Sequence, residues 1–185
     1  VLLYKPKGYV STVKDPQGRP KVTDSVPLPG VRLYPVGRLD YQTSGLLLLT
    51  DDGELAYHLT HPRFGVWKTY HALVEGKPSP DALKLLRRGV PLPEGKTSPA
   101  RVRMLGMRPN NRCLLEISLR EGRKRQVRKM CEFIGHPVVE LERKSLAFLN
   151  LNGLQVGEYR FLNSDEVQKL KTMAVRQETH NRRRN

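Results

Sequence analysis

The chain has 185 residues, 38% hydrophobic and 28% charged, with 33 Lys and Arg against 18 Asp and Glu for a formal net charge of +15. That apolar content supports one sizeable core, which excludes a disordered basic arm. No apolar run approaches the roughly 20 residues of a membrane helix, and no segment has the form of a secretion signal, so a cytoplasmic protein is expected.

The positive charge is uneven. Residues 1–90 carry +5 and residues 91–185 carry +10, so a polyanion-binding surface is expected mainly in the second half. Charge of this kind binds phosphates without choosing sequence; target selection falls to shape, stacking and base contacts. Cys113 and Cys131 form no paired ligand spacing and are expected as free, buried thiols.

In chain order, Val1-Leu2-Leu3-Tyr4-Lys5 opens within a strand and without an initiator Met, so a piece of a longer chain is expected. Strands are predicted at 9–14, 33–37 and 46–50. Leu46 to Leu49 have no polar alternation, which reads as a strand buried on both sides, bounded by Gly45 and the turn-forming Asp51-Asp52-Gly53. The polar loop before it holds Asp40, with Arg38 two residues earlier and the hydroxyls of Tyr41, Thr43 and Ser44 following. A stiffly held loop carboxylate is placed for chemistry, although an Asp at a turn also serves simply to accept backbone hydrogen bonds.

Gly53–His61 is predicted as a short helix, 66–75 as a strand rich in β-formers, and Pro80–Arg88 as a helix with Pro at its start and Gly89 past its end. Strands at 100–107 and 112–119 are joined by a hairpin at Arg108-Pro109-Asn110-Asn111. A basic run then opens a helix whose Val127, Met130, Cys131 and Ile134 make one buried stripe, capped by Gly135. Residues 138–149 return as strand. Asn163 and Ser164 cap a last helix to about Val175, before a basic, mobile tail. The pattern predicts an α+β fold with a mixed, mostly antiparallel sheet.

Two other groupings point elsewhere and are set aside. His58 and His61 share a helix face but have no third ligand, and Asp51, Asp52 and Glu54 read as a turn with a charged helix start; no metal is expected. No phosphate-cradling glycine motif is present, and no cofactor is expected.

The segment Gly37–Thr50, GRLDYQTSGLLLLT, resembles the signature of the pseudouridine synthases that modify ribosomal RNA, most of all the type acting on the bacterial large subunit. Lys5-Pro6-Lys7-Gly8, Lys68-Thr69-Tyr70 and Glu121–Met130 (EGRKRQVRKM) resemble further family elements in the right order. Together these matches span about 125 residues, and the likeness reaches from Val1 to about Leu162. It implies a bent sheet shared by two lobes with a central cleft, a catalytic domain over 1–177 and a basic flexible tail at 178–185. Relatives often carry an upstream S4-type RNA-binding module; nothing here resembles one.

The resemblance also implies a reaction, isomerisation of a uridine to pseudouridine within RNA. Asp40 would act at ribose C1′ or start glycal formation, Arg128 would hold it ionised, and Tyr70 would stack on the uracil. Leu141 would floor the base pocket, and Arg38 would brace the loop or touch the RNA backbone. Arg123, Lys124, Arg125 and Lys129 are expected phosphate contacts, with Lys5, Lys7, Arg63 and Lys68 behind them. The implied partner is a ribosomal RNA stem-loop or bulge presenting a flipped nucleotide to a monomer. The competing reading is a noncatalytic RNA-binding or ribosome-assembly module using the same basic surface.

Overall fold

In the computed structural model, residues 1–182 are described, with side chains through Met173. The chain is α+β, and its named strands pair antiparallel within two compact units, Val1–Val66 with Leu151 onward, and Trp67–Asn150.

In the first unit, β1 (Leu2–Lys5) lies between β3 (Thr43–Thr50) and β11 (Tyr159–Arg160), and β2 (Tyr34–Pro35) also pairs with β3. Leu46, Leu47, Leu48 and Leu49 are all buried, as their unbroken apolar run requires. Helix α1 (Gly53–Thr60) starts where the Asp52 carboxylate accepts the Leu55 N–H at 2.9 Å. That bond, with Lys171 at 3.2 Å, holds the Asp52 carboxyl below its ordinary pKa and gives the acidic turn a structural role. His58 is buried with Nδ1 2.7 Å from the Glu54 carbonyl, and His61 accepts the Arg63 N–H, so both rings are engaged locally.

Helix α4 (Ser164–Arg182) continues past the expected stop at Val175. Residues 183–185, and every side chain of the expected 178–185 tail, lie outside the described residues. The strand predicted at 9–14 does not form; only an isolated bridge joins Val10 to Lys21. The segment instead makes turns, with Asp15 receiving Arg19 and the 3-10 turn Val22–Ser25 following.

In the second unit the order is β9 (Val138–Leu146), β4 (Lys68–Glu75), β8 (Arg112–Leu119), β7 (Arg101–Arg108). Asn110 and Asn111 turn the β7–β8 hairpin at φ 60° and 52°, the left-handed region that Asn tolerates. The last expected strand is interrupted at Ala147, φ 53°, so β10 (Leu149–Asn150) folds back onto β9. A small hairpin of β5 (Pro91–Leu92) and β6 (Gly95–Lys96) escapes sequence reading because each strand has two residues. Helix α2 (Pro80–Arg88) begins at a Ser79 cap and ends at Gly89, where a Cβ would stand 2.1 Å from the Thr97 carbonyl oxygen. Helix α3 (Gln126–Phe133) buries Val127, Met130 and Cys131, with Ile134 half-buried beyond its end. Both cysteines are free and buried, and burial pushes the Cys131 thiol up to about 12.

Candidate functional site

Asp40 is half-buried in the loop entering β3, and the backbone on either side of it is fixed by two buried polar groups. The Ser11 hydroxyl donates to the Leu39 carbonyl at 2.9 Å and accepts the Leu39 N–H at 3.0 Å. The Lys5 ammonium, 0% exposed, donates to the carbonyls of Thr43 (2.8 Å), Pro6 (3.0 Å) and Asp40 (3.3 Å). The Thr43 N–H closes the turn onto the Asp40 carbonyl at 2.9 Å, and the Gly8 N–H reaches Tyr41 at 2.8 Å. A carboxylate on this loop therefore sits on backbone with few alternatives, the condition for a group that must meet a reacting atom.

These bonds correct one expectation. Lys5 is not a surface phosphate contact; its charge is enclosed and tied to three carbonyls. Within Lys5-Pro6-Lys7-Gly8, Lys5 and the Gly8 N–H bond the backbone of the Asp40 loop, while Lys7 is exposed, as are Arg38 and Arg63. The Arg63 guanidinium lies over Phe64 at 4.5 Å and Tyr57 at 5.3 Å.

In the second unit, the period of two along β4 places Lys68, Tyr70, Ala72 and Val74 on one buried face. Tyr70 pairs with Ile117 on β8 and Arg143 on β9, and Ala72 pairs with Leu141. Directly opposed residues share a face, so Tyr70, Leu141 and Arg143 lie together. Leu141 is 4% exposed and Tyr70 9%.

Arg143, buried at 2%, is the residue that sequence reasoning missed. Its signal was its place two residues after Leu141, obscured by the charged run Glu140-Leu141-Glu142-Arg143-Lys144. Lys68 is also buried rather than displayed on the surface, which corrects its assignment as a surface contact. Burial, reinforced by the Arg143 cation, pushes the Lys68 ammonium down to about 8. Arg128, half-buried on α3, donates through Nη1 to the Val138 carbonyl at 3.2 Å.

The basic run divides into framework and exposed charge. Glu121 accepts from Ser98, Arg123 and Gln126, while Gln126 accepts the Arg123 N–H at 3.0 Å. The Arg123 guanidinium also donates to the carbonyls of Gly95 and Lys96, both at 2.7 Å. Arg123 is therefore a framework residue joining this loop to the small hairpin, contrary to its expected phosphate role. Lys129 is ion-paired with Glu94. Lys124 and Arg125 are exposed, Arg125 at φ 54° as the residue opening α3.

The clamped loop carboxylate of the first unit, and the buried strand tyrosine and basic helix start of the second, are the elements that the resemblance implies for an enzyme working on an RNA nucleotide. Residues 1–133 match the family model described as RNA pseudouridylate synthase, and the chain belongs to that family. It is 48% identical over 174 residues to ribosomal large subunit pseudouridine synthase B of Bacillus subtilis, covering 94% of this chain and 71% of that protein. Ribosomal large subunit pseudouridine synthase E of Xanthomonas campestris is 41% identical over 175 residues, covering 86% of this chain and 93% of the relative. A crystal structure of a pseudouridylate synthase superposes with a TM-score of 0.82 at 32% identity, over 91% of this chain and 72% of that one.

Proposed function

We propose that this enzyme converts a uridine of bacterial large-subunit ribosomal RNA to pseudouridine, with Asp40 as its essential carboxylate. The family supplies the reaction class, and the relative 48% identical over most of the chain, a synthase of ribosomal large subunit RNA by name, supports the substrate. The observation carrying the choice of Asp40 is its loop, tied by Lys5 and Ser11 on both sides of the carboxylate.

The N1–C1′ bond breaks, the uracil turns over within its pocket, C5 bonds to C1′, and the proton on C5 is replaced by one on N1. No atom is gained or lost and no energy source is needed. Asp40 acts by attack on C1′ or by removing the C2′ proton to give a glycal; both routes require an ionised carboxylate. In this reading Arg128 provides the counter-cation, since a guanidinium fork both neutralises and orients a carboxylate. Tyr70 stacks on the uracil, since an aromatic face holds a base in any rotation and its hydroxyl is suited to proton transfer at C5. Leu141, on the same sheet face, gives the pocket an apolar floor. Lys124, Arg125, Lys7, Arg38 and Arg63 are exposed cations, and in this reading they meet phosphates of the RNA.

The test uses a 23S ribosomal RNA transcript carrying 5-tritiated uridine. Asp40→Asn should bind the transcript with wild-type affinity while tritium release falls to background; release by the variant would remove Asp40 from its role. The reading extends to a monomer acting in the cytoplasm, with sedimentation velocity testing the first point. Among the described residues no helix is long and apolar enough to cross a membrane.

A further inference from the structure

Trp67, the single tryptophan of the chain, sits just before β4 with two guanidinium groups over its indole, Arg101 at 4.2 Å and Arg120 at 4.5 Å from the ring centroid. Both arginines are exposed and, among the described residues, neither has a carboxylate partner. The indole draws both cations by its ring quadrupole, which holds two exposed positive charges at one point of the surface, where an anion would meet both.

The pairing register fixes where this cluster lies. Arg101 opposes Ser118, and Ser118 opposes Thr69, to which it is hydrogen-bonded at 2.9 Å. Trp67 precedes Thr69 by two residues and Arg120 follows Ser118 by two, so Arg101, Trp67 and Arg120 share the face that Thr69 and Ser118 present. Tyr70 belongs to the opposite face. The cluster is thus separate from the base pocket assigned above, and Arg120 leads directly into the loop carrying Lys124 and Arg125.

We propose that the Trp67–Arg101–Arg120 cluster is an RNA backbone-binding platform that grips phosphates away from the modified nucleotide, on the sheet face opposite Tyr70. The indole holds the flat guanidinium groups in place while their N–H edges remain open to solvent, so less side-chain freedom is lost when a phosphate arrives than for free arginines. Arginine suits this use because it stacks and donates two parallel hydrogen bonds at once. The contact is independent of sequence; it sets affinity and orientation, and leaves the choice of uridine to the pocket.

The inference rests on RNA being the substrate. Equilibrium binding of the full chain to the 23S transcript is measured as a function of salt, alongside tritium release, for wild type, the double variant Arg101→Gln/Arg120→Gln and the double variant Arg101→Lys/Arg120→Lys. Loss of two phosphate contacts should lower the slope of log affinity against log salt by about 1.5 for the Gln pair. The RNA concentration giving half-maximal rate should rise while the rate at saturating RNA stays at wild type. The Lys pair should keep the slope, because it keeps the charge, and Trp67 emission should change with the same midpoint as binding. A Gln pair with wild-type slope and half-saturation, or Trp67 emission unmoved at saturating RNA, overturns the platform. Absence of tritium release from the wild-type protein would instead defeat the enzymatic reading, and the binding slopes still decide the platform.

Discussion

Replacing Lys5 with Met removes a buried ammonium from the Asp40 loop while filling nearly the same volume. Three carbonyls, of Pro6, Asp40 and Thr43, lose their donor. A hydrogen bond to a charged donor contributes about 1.5–3 kcal/mol, and each buried acceptor left unsatisfied costs about 1–3 kcal/mol. Against this, burying the ammonium itself costs several kcal/mol, a cost that the Met side chain does not incur. With the Pro6 carbonyl only part-buried and next in sequence to Lys5, the other two carbonyls set the balance, and a net destabilisation of about 2–4 kcal/mol is expected. At a urea m-value of about 2 kcal/mol per molar, the unfolding midpoint should fall by about 1–2 M. Because displacement of a reacting group by about 1 Å can cost about 100-fold in rate, tritium release should fall by a larger factor than stability explains, when measured well below the new midpoint. A variant with wild-type midpoint and wild-type tritium release would refute the view that Lys5 organises the loop.

Ser11→Ala should lower the rate at saturating RNA, with little change in RNA affinity, because it frees both backbone groups of Leu39 next to Asp40; Ser11→Thr, which retains the hydroxyl, should restore most of it. Equal affinity losses in both variants would show a general packing defect instead. Lys68 should make stability rise with pH in a window set by its lowered pKa. Below about 8 both states hold the proton and the fold bears the full cost of the buried charge, whereas between about 8 and the ordinary 10.5 only the unfolded chain binds it. The gain across that window is up to about 3 kcal/mol, and chemical denaturation of Lys68→Met at pH 7 and pH 10 should show the rise removed relative to wild type.

The sequence reached far into this fold wherever one local signal sufficed. Pro80 and Gly89 bracket α2 because a fixed φ suits a helix start and only glycine fits beside the Thr97 carbonyl. The leucine run could only be a buried strand, and Asn110-Asn111 could readily supply the turn between β7 and β8. Local signals failed at residues 9–14, where strand-like composition was overridden by turns tying Val10 to Lys21, and at Tyr159–Arg160, whose pairing with β1 no neighbouring residue announces.

By itself, then, the sequence determined the α+β class and the family, since ordered motifs survive without coordinates, and it nominated Asp40, Tyr70 and Arg128 for the site. Only the tertiary structure decided what each cation does. Lys5, Lys68 and Arg143 are indistinguishable from surface charges in a chain of net charge +15, because burial is a property of the assembled sheet and loops. Assembly turned Lys5 inward onto backbone carbonyls, tied the half-buried Arg123 to those of the small hairpin, placed Lys68 and Arg143 on the Tyr70 face, and left Arg101 and Arg120 exposed over Trp67.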